Sequence, residues 1–230
     1  MKLLGYFLLG LLPGLFWMWF YLRKDREKPE PIKLIAKVFL FGMAATFPAI
    51  ALEFAIDYFF PFSGQRGLVP IILGSLLVVA PVEELLKYVV VRDVVFKDPH
   101  FDEPVDGIMY AVVAALGFAS LENLLVVFSE GGTVLLLRFA TATLMHALTS
   151  GIVGYYIGRG MIEPEKKKAY IRQGLFLAIL LHALYNISVS LSSNLILTIV
   201  LVTVLLGAMF YILSQGIKEL KLFTVKRRVE

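Results

Sequence analysis

Apolar runs of membrane-spanning length recur along this chain, and they restrict its fold more than any other feature. Leu3 to Leu22 passes twenty residues without a charge, enough for a helix to cross the roughly 30 Å hydrocarbon core of a bilayer. Further runs cover about Val38 to Phe60, Leu68 to Val91, Gly107 to Phe128, Thr133 to Gly158, Gly174 to Leu191 and Leu195 to Leu213. Lipid offers no partner to a backbone N–H or C=O, so segments of this kind are helices. The expectation is an all-α fold, a polytopic transmembrane helix bundle of about seven spans, with residues 1–230 as one integral membrane domain. Hydrophobic residues make up 59% of the chain, and no stretch remains for a separate soluble domain. The first run competes with a signal peptide, but no small-residue cleavage site follows it. Trp17, Trp19, Phe20 and Tyr21 read as an interfacial belt on a retained span.

The connecting segments set the orientation. Arg23 to Lys37, with Pro29 and Pro31, reads as a short charged loop, and Asp57 to Gly67 as a turn-rich connection containing Pro61, Ser63 and Gly64. Arg92 to Asp106 holds His100 and, from Asp98 to Asp106, four acids, which imitates a metal loop, yet Asp106-Gly107 before an apolar run reads better as a helix N-cap. Arg159 to Arg172 is a basic loop, and Lys218 to Glu230 a basic tail expected at the membrane surface. Eighteen of the 22 Lys and Arg fall in the 23–37, 92–106 and 159–172 loops and the tail, all on one side of a seven-span chain. Lys2, Arg66 and Arg138 fall on the other, and Lys87 lies within a span. The asymmetry predicts a multi-pass protein of the cell membrane with its amino terminus outside and its carboxyl terminus in the cytoplasm. Basic residues placed this way set topology and meet membrane lipid; they do not suggest nucleic acid. The absence of cysteine excludes disulfides, thiolate metal sites and a thiol nucleophile.

Against this apolar background, Glu83, Glu84 and Lys87 stand in the middle of the third run. A charge at the centre of a membrane helix costs about 2.5 to 3.5 kcal/mol on insertion scales, so three together need partners, a water-filled cavity or a task. Pro81 beside them removes a backbone donor and can kink the helix. Three other spans carry Glu122, His146, and His182 with Asn186. Counted from the helix ends at 1.5 Å per residue, all of these fall within roughly 10 to 12 Å of one depth. Glu83 and Lys87, Phe118 and Glu122, His146 and Ser150, and His182 and Asn186 are each i,i+4 pairs on one helix face. Polar contacts that only hold helices together are the bland interpretation. Three carboxylates and two histidines on four spans, with one cation among them, carry an excess of negative charge that has no structural use.

This inventory suits activation of water: a carboxylate in a low-dielectric cavity as general base, with imidazole and the Asn186 amide donating to a developing oxyanion. A Ser150 nucleophile paired with His146 lacks the strand-to-helix elbow such a serine requires.

Glu83-Glu84-Leu85-Leu86-Lys87 resembles the Glu-Glu-x-x-Lys motif of the PrsW family of intramembrane proteases. Phe101 to Tyr110, followed by Gly117 to Asn123, is similar to its second block, and His146 and His182 to Asn186 are similar to its later ones. The resemblance covers most of the chain from Pro81 to Asn186. It implies a membrane-embedded endopeptidase, related to CAAX prenyl endopeptidases and bacteriocin-immunity-type proteins, that cleaves a membrane-anchored protein. Family members are associated with site-1 cleavage of anti-sigma factors during envelope stress. The motif positions carried over are Glu83, Glu84, Phe118, Glu122, His146, His182 and Asn186. The prenyl proteases have a histidine where this chain has Glu122, so their water-activating pair does not transfer unchanged.

Two mechanisms remain open. In one, Glu122, His146 and His182 form a Zn²⁺ set with an open position and Glu83 is the base. In the other, Glu83 and Glu122 share a proton as a carboxylate pair, while His182 and Asn186 stabilise the oxyanion. A proton- or cation-coupled transporter would also place carboxylates in the membrane, but no pair of similar halves is visible. A non-catalytic receptor on the same scaffold is the third class. Oligomeric state is not written in the sequence.

Overall fold

The computed structural model describes residues 2–23, 29–62, 67–130, 140–191 and 194–229. Arg138 and Gly64 lie outside these. Among the described residues, seven long helices build a membrane bundle: α1 (Lys2–Leu22), α2 (Ile32–Phe59), α3 (Leu68–Val94), α4 (Asp106–Glu130), α5 (Ala142–Ile162), α6 (Lys167–Leu191) and α7 (Leu195–Val229). No strand occurs among the described residues. Five of the helices, α2, α3, α4, α6 and α7, are long and apolar enough to cross a membrane. Large apolar side chains such as Phe41, Phe47, Phe54, Leu197 and Val204 point outward, as suits a surface that meets lipid.

At the centre stands α5, with fifteen of its 21 residues buried, and α4 is its most extensive partner. These two backbones touch where both helices carry glycine. A Cβ on Gly154 would run into the carbonyl of Gly107, and one on Gly107 into that of Gly154. On the other side of α4, Gly42 of α2 faces the Ala114 carbonyl and Gly117 faces that of Phe39. Small residues are the means by which membrane helices approach closely. Two polar bonds fix the helices at the depth of the motif residues: the Thr46 hydroxyl donates to the Phe118 carbonyl (3.2 Å), and the Asn123 amide to the Thr143 hydroxyl (2.8 Å).

Several boundaries move relative to the sequence reading. Helix α2 begins at Ile32, six residues early, with Lys33 and Lys37 on its exposed face. There their long stems follow the helix while the charges stay outside. Helix α6 begins at Lys167 and α7 runs through the basic tail, so both extend beyond the hydrocarbon. Asp106 does not cap α4. Its Oδ2 turns back to accept the N–H groups of Asp102 and Glu103, bracing the preceding turn. In α3 the strain of Pro81 is taken up one turn earlier by a π-helical segment, Ser75–Val79, closed by the Ala80 N–H on the Ser75 carbonyl.

The basic connections meet at one end of the bundle. Lys167 lies over the Phe96 ring, Arg159 pairs with Glu219 (3.1 Å), and the Tyr110 hydroxyl donates to Glu30. Glu163, between α5 and α6, gathers Lys166, Tyr170 and Arg159. These hydrogen bonds, that from Lys166 foremost, hold its carboxyl down at about 2, so it stays ionised and pins the turn that sets α5 against α6.

Candidate active site

Four helices deliver the motif side chains to one buried cluster. Helix α3 contributes Glu83, Glu84 and Lys87, α4 contributes Phe118 and Glu122, α5 contributes His146, Thr149 and Ser150, and α6 contributes His182. The Lys87 ammonium is the hub. It donates to Glu83 (3.2 Å) and Glu84 (2.9 Å), lies 2.8 Å from His146 Nδ1, and sits 4.6 Å from the centre of the Phe118 ring. A fully buried lysine is stable only with such compensation, and the ring face adds a cation–π contact. The role of Phe118 in the motif is thus to cover Lys87.

Glu84 is hydrogen-bonded on every side. Oε1 accepts from Lys87, from the Thr149 hydroxyl (3.0 Å) and from His182 Nδ1 (2.9 Å), and Oε2 accepts from Ser150 (3.2 Å). Ser150 serves as a donor to Glu84, which leaves the serine-nucleophile interpretation without a base. Glu83, by contrast, has Lys87 as its close partner and faces the two imidazoles, with Oε2 3.7 Å from His146 Nδ1 and 3.9 Å from His182 Nε2. The two rings stand edge to face at 5.2 Å.

The hydrogen bonds fix the tautomers. An ionised carboxylate only accepts, so the ring nitrogen bound to it carries the proton. Glu84 therefore takes the Nδ1–H of His182, and Glu122 takes the Nε2–H of His146 at 2.9 Å. The other nitrogen of each ring presents a lone pair toward Glu83. Three electron-pair donors directed at one another repel unless a cation lies among them, and Lys87 reaches Glu83 and His146. Ligands 2.0 to 2.1 Å from a tetrahedral Zn²⁺ stand about 3.4 Å apart, close to the separations found here. Donor atoms of Glu83, His146 and His182 all lie within 4.8 Å of one another, and an imidazole whose outer N–H rests on a carboxylate is the usual arrangement of a metal-binding histidine. The donor set fits a divalent cation.

The three residues that meet in this way include Glu83 where the sequence reading has Glu122. Glu122 sits on the far nitrogen of His146, and its side chain is 28% exposed against 8% for Glu83. Asn186 is half-buried one turn beyond His182 and makes no hydrogen bond to the cluster. Thr149 went unnoticed in the sequence, although its place three residues after His146 puts it on the same helix face. Glu53 of α2, legible only as a charge in an apolar run, lies near enough to Glu122, Lys87 and Glu83 to interact with them electrostatically.

Residues 30–214 match the family described as PrsW family intramembrane metalloprotease. The chain belongs to the PrsW family. Similar proteins named Protease PrsW include that of Clostridioides difficile, 33% identical over 189 residues, with 80% of this chain and 78% of the relative covered. That of Geobacillus kaustophilus is 31% identical over 178 residues, covering 77% and 76%, and that of Bacillus subtilis 28% identical over 186 residues, covering 80% and 83%. No solved structure matches the chain. Membership of the PrsW family decides between the classes left open by the residues: this is a membrane peptidase, with a protein substrate in the membrane, and neither a transporter nor a bare receptor.

Proposed function

We propose that the chain is a Zn²⁺-dependent endopeptidase, a single membrane domain that cuts a membrane-anchored protein, of the kind that releases an anti-sigma factor by site-1 cleavage. The observation that carries the metal-dependent reading is the convergence of Glu83, His146 and His182, each histidine backed by a carboxylate. The anti-sigma substrate follows from what the family resemblance implies. The amino terminus is assigned to the outside and the basic end of the bundle to the cytoplasm.

In this mechanism Glu83, His146 and His182 would hold the cation. Zn²⁺ bound there would polarise the scissile carbonyl and lower the pKa of a bound water. Glu84 and Glu122 hold the two imidazoles in the required tautomers. Lys87 offsets the negative charge of Glu83 and Glu84. Glu122, the most exposed carboxylate of the cluster, is assigned to take the proton of the attacking water and return it to the leaving amine nitrogen. Asn186 is retained as an oxyanion donor, which requires the substrate to reach one turn past His182.

One observation favours the metal-free alternative: Lys87 Nζ stands 2.8 Å from His146 Nδ1 and so satisfies that lone pair itself. Glu83 would then be the base, sharing a proton with Glu122. Elemental analysis of the purified protein, with cleavage assayed before and after chelation, separates the two. The substrate is tested by comparing membrane proteomes of cells carrying the parent chain and Glu83→Gln. A single-span anti-sigma factor should remain intact only in the variant; unchanged processing of every such protein would remove that assignment.

A further inference from the structure

A cleft of about 380 Å³ opens beside the cluster, toward the end of the bundle opposite the basic loops. It exists because α2 and α3 diverge. Every buried residue of α2 lies between Leu34 and Ala49, and α2 packs against Ala80–Val94 but hardly meets the outer part of α3. The π-helical turn of α3 lines it with Ser75, Val78 and Val79, α2 with Phe54, and α6 with Ser190. Glu83 follows Val79 by one helical turn, so the cleft wall of α3 continues into the segment that carries the cluster. π-Helical turns are frequent at functional sites, where they redirect side chains.

Glu53 lines this cleft, and its Oε1 is buried without any hydrogen-bond partner. Asp57, one turn further on, already has the Phe62 N–H on its Oδ1 (2.9 Å). An orphaned carboxylate oxygen in a bilayer is costly, and each such group calls for an explanation. The reaction provides one. A peptide bond inside a helix is shielded, so a protease acting in the membrane must hold its substrate unwound, which frees backbone N–H groups that lipid cannot satisfy.

We propose that this cleft holds the unwound outer segment of the substrate polypeptide, and that Glu53 Oε1 accepts one of its backbone N–H groups. This rests on the reading that the substrate is a membrane-anchored protein. It makes Glu53 a substrate-binding residue rather than a metal ligand, and it places the cut in the outer half of the bilayer.

The test uses a single-span fusion protein that the parent chain cleaves. Because the chain lacks cysteine, a single one can be placed at Ile71, in the cleft, or at Phe41, on the lipid face, and labelled with benzophenone maleimide in a Glu83→Gln background. Illumination should join the fusion protein to the Ile71 position and not to Phe41; equal adducts at both overturn the proposal whether or not any Glu53 variant folds. Glu53→Leu, which removes the acceptor, should raise KM about tenfold or more with kcat within about twofold, while Glu53→Gln, which keeps an acceptor oxygen, should change KM less than about threefold. The metal content of both should match the parent. Unchanged KM in Glu53→Leu, or a fall in kcat alone, overturns the role of Glu53. Failure of the parent chain to cleave any single-span fusion would instead overturn the substrate reading and this proposal with it.

Discussion

Glu83 and Glu84 are neighbours in one motif, yet their surroundings are opposite, and conservative substitutions should separate them. In Glu84→Gln the amide oxygen can stay with Lys87, Thr149 and His182, and the amide nitrogen can face Ser150, whose hydroxyl turns to accept. What is lost is the carboxylate charge on the bonds from Thr149, Ser150 and His182, while the bond from Lys87 keeps the charge of its ammonium. Hydrogen bonds to charged groups are worth about 1.5 to 3 kcal/mol against about 0.5 to 1.5 for neutral ones, so the expected loss is about 2 kcal/mol. Glu84→Leu removes the acceptor altogether and leaves the His182 Nδ1–H buried alone, a change of about 3 to 5 kcal/mol. Glu83→Gln alters one long bond to Lys87 and relieves a cluster that carries three carboxylates for one lysine, so its stability should stay within about 0.5 kcal/mol of the parent. The assay is thermal unfolding in detergent after chelation, so that metal binding does not contribute. For a chain of this length, 1 kcal/mol corresponds to roughly 2 to 4 °C. Glu84→Gln should fall by roughly 4 to 8 °C, Glu84→Leu by more, and Glu83→Gln by almost nothing. Both Gln variants should still lose two or more orders of magnitude in cleavage, about the scale of a lost acid-base or positioning group. Equal melting temperatures for Glu83→Gln and Glu84→Gln would refute the division of roles.

Metal content distinguishes the ligand sets: roughly one Zn²⁺ per chain is expected, lost in Glu83→Gln, His146→Ala and His182→Ala but kept in an inactive Glu122→Gln. The opposite pattern for the two glutamates would restore Glu122 as ligand and Glu83 as base, and full activity in metal-free protein would remove the metal altogether. Gly154→Val drives a side chain into the backbone of Gly107 and should cost at least about 3 kcal/mol, seen as loss of monodisperse protein. Gly207→Val, where a Cβ meets nothing within 4 Å, should be tolerated, and equal yields would mean that the α4–α5 contact is not close. A reporter fused after Glu230 should be cytoplasmic and one inserted near Gly64 external; the reverse labelling on intact cells would overturn the orientation.

The sequence was most informative where the chemistry is hardest to place in lipid. Charges that cost free energy in an apolar run announce themselves, so Glu83, Glu84, Lys87, Glu122, His146 and His182 were all legible, and i,i+4 spacing gave the shared face within each helix. What spacing could not give is the rotation of one helix against another. Every residue of helix α4 from Asp106 to Leu121 is buried, so no polar face reports which way Glu122 turns. Depth counting with an uncertainty of roughly 10 Å is too coarse to tell a ligand from a group that orients a ligand. The helix ends moved outward for a related reason: Lys33, Lys37, Lys168 and Arg172 read as loop residues by charge, but their exposed positions let helices α2 and α6 continue past the hydrocarbon.

The arrangement also accounts for the excess of carboxylates that first marked this region. Glu122 and Glu84 each take the outer N–H of one histidine, and both inner nitrogens thereby face Glu83. With all three carboxylates ionised, the cluster including Lys87 would carry two negative charges in excess, an unstable condition in a bilayer and one that a single divalent cation would correct. The same surplus explains why Lys87 is buried against Phe118 rather than exposed: displaced from the cluster, it would leave Glu84 as an uncompensated charge beside His182. The charge that makes this region improbable as a mere helix contact is therefore the charge that equips it to hold a cation.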